Sequence, residues 1–125
     1  MVQFNDWCSV SDAPVGPHTL CVLAGDPERL DVGVAATAAI VPTHYAAEEH
    51  ISRVLARLGK PSAAKFISDK LPTTKSIRSG DLGEIFATEY IVGHTAYAVP
   101  IKRLRWKDHR NMAMRGDDVI GLTQD

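Results

Sequence analysis

The sequence predicts an α+β fold, in which short strands lie on either side of a series of helices. Three observations favour it. The 125 residues are 45% hydrophobic, which is enough apolar side chain for one small core. The chain contains both loosely alternating apolar residues, typical of strands, and apolar residues three and four positions apart, typical of helices. No internal repeat is present, so a solenoid architecture is excluded.

The first elements are predicted to be strands. The segment HTLCVLA, residues 18–24, carries Leu, Val and Leu in loose alternation, which indicates a strand. A turn at residues 25–30 follows, with Pro27 fixing its backbone angle. Residues 31–42 are a second strand candidate, although alanine is depleted in strands and this segment is rich in it.

Two helices are predicted next. Thr43 suits the N-cap of a helix that runs to Leu58 and is closed by Gly59. Apolar residues share one face of it: Ile51, Val54, Leu55 and Leu58. Pro61 suits the first turn of a shorter helix that ends at Leu71, before Pro72.

The third helix is predicted at residues 76–95, with an apolar face made of Leu82, Ile85, Phe86 and Val92. A strand is expected at residues 96–106, where Pro100 indicates an edge strand or a bulge. A polar loop leads to a closing strand at residues 119–122. Gly116, Asp117 and Asp118 directly precede this strand.

Several function classes are excluded by missing motifs. The chain has no G-x-x-x-x-G-K-[ST] loop and no G-x-G-x-x-G turn, which argues against an NTPase or a dehydrogenase. The five histidines show no metal-ligand spacing. The longest apolar run, residues 32–41, is too short to cross a membrane, and no secretory signal begins the chain. These features predict a cytoplasmic protein with Cys8 and Cys21 reduced.

Charge is distributed unevenly along the chain. Residues 1–50 contain seven acids and one base, whereas residues 51–115 contain thirteen bases and five acids. The densest basic run follows the third predicted helix and consists of Lys102, Arg103, Arg105, Lys107 and Arg110. These side chains would grip the phosphates of a nucleic acid, although an ordinary solvated face explains the run equally well.

Two carboxylates are candidates for metal binding. Glu84 lies on the third predicted helix and Asp118 at the entry of the closing strand, so the two would face each other across the fold. Mg²⁺ prefers oxygen ligands and keeps several waters, so two or three convergent carboxylates suffice. The alternatives are a tight turn at Asp118 and a helix-dipole contact at Glu84. Glu89, five residues further along the helix, is a second candidate for the helix ligand.

Three segments together resemble the HamA family, the nuclease effectors of the Hachiman anti-phage system, within the PD-(D/E)xK superfamily. They are GDLGEIFATEYI, YAVPIKRLRWKD and MRGDDVIGL, and the similarity is clearest over residues 79–122. The resemblance implies that residues 76–125 are the front half of a PD-(D/E)xK-like core, a helix followed by antiparallel strands. An accessory segment of strands and helices, residues 1–75, would precede it.

The resemblance also implies a chemistry for this core. Asp118 and Glu84 would be catalytic and would hold Mg²⁺ or Mn²⁺, and the substrate would be DNA. A partner helicase of the HamB type would hold the nuclease in check until it senses aberrant DNA.

The chain departs from the superfamily in one respect. The E-x-K or D-x-K pair belongs on the strand after the aspartate strand, and no residues follow Asp125. We therefore expect the N-terminal portion of a longer nuclease, which does not cleave DNA efficiently by itself. The alternatives are a non-catalytic module that docks the helicase and a small nucleic-acid-binding domain.

Overall fold

The computed structural model describes residues 1–114, 116 and 118–123. They form the predicted α+β fold, with helices and two small antiparallel sheets. The chain divides into two compact units, Met1–Ile40 and Val41–Asp125. The division at residue 75 into an accessory segment and a nuclease-like core concerns function, and it stays a prediction.

The first unit contains a β-hairpin. Its strands are β1, Cys8–Val15, and β2, His18–Gly25, which pair antiparallel from Cys8 opposite Gly25 to Val15 opposite His18. Gly16 occupies the turn with a φ of 58°, a left-handed value that glycine adopts readily. The strand predicted at residues 18–24 is thus confirmed, and its partner β1 was not predicted.

A helix replaces the second predicted strand. Helix α1 spans Leu30–Tyr45, so the prediction of a strand at residues 31–42 is wrong. Alanine is the strongest helix former, and the alanine-rich segment follows that propensity. Gly33 lets the helix approach an indole ring, because a Cβ at this position would clash with the ring of Trp7. Thr43 lies inside α1, so its prediction as an N-cap is also wrong.

The second unit contains three further helices among the described residues. They are α2, Glu48–Leu58; α3, Lys60–Ser68; and α4, Lys75–His94. Gly59 joins α2 to α3 with a φ of 85°, and Pro61 lies in the first turn of α3, as predicted. The bounds of α4 agree with the predicted helix at residues 76–95 to within one residue.

The strand predicted at residues 96–106 is largely wrong. Strand β3 is only Tyr97–Ala98, and a 3-10 helix forms at Arg103–Trp106. Pro100 has no N–H to donate to a sheet, so it interrupts the strand. Strand β4, Leu122–Thr123, pairs antiparallel with β3, and is shorter and later than the strand predicted at residues 119–122.

The predicted apolar face of α4 is confirmed in part, since Ile85 is only 2% exposed. Leu82 and Val92 are exposed. The buried residues of the helix are Asp81, Ile85, Thr88 and Glu89. Buried carboxylates are tolerated only when other groups pair with them, and bases elsewhere in the unit do so here. The contacts of these acids therefore decide how the rest of the unit packs on α4.

In the described part of the chain, no helix is long and apolar enough to cross a membrane.

Candidate functional site

Helix α4 presents two carboxylates, one turn apart, to the segment at residues 102–107. Arg103 contacts Glu84 and Lys107 contacts Asp81. The two bases are four residues apart in a segment that begins with a 3-10 helix, and Leu104 anchors this segment with only 4% of its surface exposed. Two parallel ion pairs thus fasten the segment to the helix.

Arg103 bridges the two acids that the sequence predicts to be metal ligands. Its Nε and Nη2 atoms donate to Oε1 and Oε2 of Glu84 at 3.2 and 2.9 Å, a bidentate pair. The same Nη2 donates to Oδ1 of Asp118 at 3.0 Å. Because both carboxylates contact one nitrogen, they lie within two hydrogen-bond lengths of each other. The hydrogen bonds to Glu84, more than any other contact, raise the pKa of Arg103 above its usual value.

The bridge lies in the wall of an open cavity of about 450 Å³. Glu84, Arg103 and Asp118 line it, together with α4 residues that include Gly80 and Gly83. A Cβ at either glycine would meet nothing within 4 Å, so these two positions leave open space along this wall. The side chain of Glu84 is 12% exposed and that of Asp118 is 82% exposed. One acid is therefore fixed in the wall, and the other faces solvent.

The second ion pair is buried. Nζ of Lys107 donates to both oxygens of Asp81, at 2.8 and 3.1 Å, and to the backbone oxygen of Arg110 at 3.1 Å. The hydroxyl of Tyr45 donates to Oδ2 of Asp81 at 2.6 Å. Burial, and then the hydrogen bond to Asp81, raise the pKa of Tyr45. These contacts satisfy every charge in the cluster, so its role is to hold the segment in place.

Asp81 and Tyr45 were missed by the sequence reasoning. Asp81 contacts Tyr45 and Lys107, which lie 36 and 26 residues away, so no local pattern in the sequence indicates these contacts.

Glu89 takes no part in the cavity. Its Oε1 lies 2.8 Å from Nε2 of His44, and both residues are buried. Burial lowers the pKa of His44 below its usual value of 6.5, and the hydrogen bond to Glu89 opposes this only in part. Of the two candidates for the helix ligand, the structure brings Glu84 to Asp118.

The other predicted phosphate contacts also lie close to protein atoms. Nζ of Lys102 lies 3.4 Å from Oγ1 of Thr43, and burial lowers its pKa. Nε and Nη2 of Arg105 donate to the backbone oxygen of Thr43, at 2.9 and 2.7 Å. Arg110 is half-buried. A role for these bases in binding nucleic acid stays a prediction, and it requires that some of these contacts be exchanged for phosphate.

The donor chemistry of Glu84 and Asp118 fits Mg²⁺ or Mn²⁺, which bind one or two carboxylates and complete their coordination with water and substrate phosphate. Within residues 1–114, 116 and 118–123, no group of three or more His, Cys, Asp or Glu is arranged to hold a metal. Asp117 lies outside the described residues. The pair would therefore supply part of a coordination shell.

Comparisons with known proteins bear on the family. No curated protein matches the chain. The sequence profile of HamA matches residues 1–125, including the residues before Ser79. The chain therefore belongs to the HamA family, the proteins of Hachiman anti-phage defence.

Proposed function

We propose that this chain supplies the metal-binding carboxylates and the phosphate contacts of a metal-dependent DNA nuclease that acts in the cytoplasm during Hachiman defence. The observation that supports this most directly is the convergence of Glu84 and Asp118 on one nitrogen of Arg103, in the wall of an open cavity. These acids come from elements that are far apart in sequence. A local turn or a helix-dipole contact would not require them to meet.

Each residue has a defined task in this proposal. Glu84 and Asp118 hold Mg²⁺ or Mn²⁺, and a bound metal would generate hydroxide and stabilise charge on the scissile phosphate. Arg103, once released from the acids, offers its planar fork to a phosphate, which it matches in geometry. Lys107 keeps the wall in position through its pair with Asp81.

We expect the 125-residue chain to bind metal and to cleave DNA poorly. A PD-(D/E)xK site needs a lysine beside its acidic ligands. Lys107 does not serve, because its amino group is buried and donates to Asp81 and to a backbone oxygen. In this proposal a helicase of the HamB type is the partner that controls access to DNA.

The test measures metal binding first and cleavage second. Titration calorimetry with Mn²⁺ should detect one site in the wild-type chain. The site should be lost in Asp118→Asn and in Glu84→Gln. Asp108→Asn is the matched control, since it removes a carboxylate from an exposed residue outside the cavity, and it should bind as the wild type does. A wild-type chain without a Mn²⁺ site, or an Asp118→Asn variant that keeps it, would refute the proposal.

A second candidate function is docking of the helicase, and a groove between α2 and α3 favours it. The groove, of about 410 Å³, has a basic and apolar lining: His50, Arg53, Val54, Arg57, Leu58 and Phe66. Leu58 is 68% exposed, which suits a residue that is covered by a partner. The charges suit an acidic amphipathic helix laid along the groove.

Docking and metal binding are separable by mutation. Leu58→Glu should abolish capture of the helicase in a pull-down, because it places an acid opposite an acidic helix. Asp118→Ala should leave capture unchanged. Helicase capture that survives Leu58→Glu would exclude this groove as the docking site.

A further inference from the structure

We propose that Arg103 is a built-in competitor for the divalent cation, an internal counter-ion that holds Glu84 and Asp118 until it is displaced. This inference rests on the proposed function, because it concerns the regulation of the same site. It gives Arg103 a task before substrate arrives, in addition to any later contact with phosphate.

The contacts of Arg103 occupy the atoms that a metal would use. Both carboxylate oxygens of Glu84 accept from its Nε and Nη2 atoms, and Oδ1 of Asp118 accepts from Nη2. Its Nη1 donates to the backbone oxygen of Gly116 at 3.2 Å, two residues before Asp118. The guanidinium thus links the helix acid to the segment that carries the second acid. A cation and this guanidinium therefore compete for the same oxygens.

The two halves of the bridge differ in how readily they open. The Arg103 and Glu84 side chains are 15% and 12% exposed, so their bidentate pair is shielded from water. Asp118 is 82% exposed, and its contact with Arg103 exchanges easily with solvent. A cation that enters the cavity reaches Asp118 at once, but it reaches Glu84 only after the guanidinium has rotated away. The shielded contact between Arg103 and Glu84 therefore determines how high the cation concentration must be for metal to bind.

Arg103 competes as a permanent cation, because a guanidinium keeps its charge in proteins. Only another cation at the carboxylates, or an anion that takes the guanidinium, removes Arg103 from the acids. The site therefore binds little metal when both the divalent cation and the anion that binds Arg103 are scarce.

The test compares Mn²⁺ affinities, measured by electron paramagnetic resonance of unbound Mn²⁺, so that no cleavage is needed. Arg103→Gln should bind Mn²⁺ on the order of tenfold more tightly than the wild type, since a charge-assisted bidentate contact no longer competes. Arg78→Gln is the matched control. It removes the same charge from α4, where the guanidinium donates to the backbone oxygen of Thr73, and it should bind as the wild type does.

A second variant covers the case in which Arg103→Gln does not fold, which circular dichroism would reveal. Arg103→Lys keeps the charge but loses the fork that spans both oxygens of Glu84. It should bind Mn²⁺ with an affinity between those of the wild type and of Arg103→Gln.

The outcomes separate this inference from the proposed function. If wild-type binding is abolished by Asp118→Asn, and neither Arg103 variant binds more tightly, Arg103 is no competitor and only this inference is overturned. If Mn²⁺ binding is absent from the wild type, the metal site itself is wrong and both proposals are overturned.

Discussion

Two ion pairs join the same two segments, α4 and residues 102–107, and their surroundings are opposite. The Asp81 and Lys107 side chains are 9% and 4% exposed, and a tyrosine hydroxyl completes their contacts. The bridge from Glu84 through Arg103 ends at Asp118, in an open cavity. The side chains of the first pair are thus both shielded from water, whereas the second ends at an acid that is 82% exposed.

Charged residues that lie close together in the sequence can therefore have different roles. A buried pair that loses one partner leaves an uncompensated charge in a medium of low polarity, at a large cost in stability. An exposed contact contributes little, because water replaces it. We therefore expect the buried pair to govern stability and the open bridge to govern binding.

The largest expected effect is that of breaking the buried pair. Lys107→Met should lower the free energy of unfolding by about 3–5 kcal/mol, because the Asp81 carboxylate stays buried without its cation. Urea denaturation followed by circular dichroism measures this. Lys65→Met is the control, since Lys65 and Asp69 form an exposed pair, and it should cost less than about 1 kcal/mol. Equal losses in the two variants would contradict the distinction drawn here.

A smaller loss is expected from the hydroxyl that supports the buried pair. Tyr45→Phe removes one hydrogen bond to the Asp81 carboxylate and should cost about 2 kcal/mol in the free energy of unfolding, the range for bonds to charged groups. Tyr97→Phe, at a half-exposed position on β3, serves as the control and should be nearly neutral. A neutral Tyr45→Phe would mean that water or another donor satisfies Asp81 equally well.

Acidification should lower the free energy of unfolding by a still smaller amount, through the buried contact between His44 and Glu89 of α4. The pKa of His44 is lowered in the folded protein by burial, so the unfolded chain binds the proton more readily. The folded state gains from neutral His44 above pH 6.5, and this gain is lost as the pH falls from 6.5 through the folded pKa. Unfolding free energies at pH 7.5 and 5.5 should show the decline, and His44→Gln should flatten it. His18→Gln, on the exposed hairpin, should leave the slope as it is.

The smallest effect on stability is expected at the open end of the bridge. Asp118→Asn should change the free energy of unfolding by less than about 1 kcal/mol, because the aspartate is exposed and its contact with Arg103 is single. Thermal melting without divalent cations checks this. A stability loss as large as that of Lys107→Met would show that Asp118 is structural, and it would remove the contrast between the two pairs.

Elements with local signals were predictable from the sequence. Gly59 marks the C-terminal end of α2 by its backbone conformation, as predicted. Pro72 predicts a helix end at Leu71, whereas α3 ends three residues earlier, at Ser68. The alanine-rich segment in α1 carried conflicting local signals, because its alanine content favours a helix and its apolar run suits a buried strand. The Trp7 ring that packs against Gly33 lies far outside that window.

The candidate site was predictable only where its residues lie in recognisable local segments. Glu84 and Asp118 stand beside glycines in recognisable segments, so a resemblance singles them out. The partners of Asp81 are Tyr45 and Lys107, 36 and 26 residues away, and no periodicity connects them. A basic run read from sequence predicts phosphate contacts, and only coordinates reveal which of its members turn inward.

The order of residues along the chain has a consequence for synthesis on the ribosome. Asp81 and Glu84 leave the exit tunnel before Arg103 and Lys107, which follow 19 residues or more behind their acids. A nascent α4 therefore carries acids on a surface destined for the interior, with no cation yet to neutralise them. We therefore expect this helix to dock only after the basic segment has emerged from the ribosome.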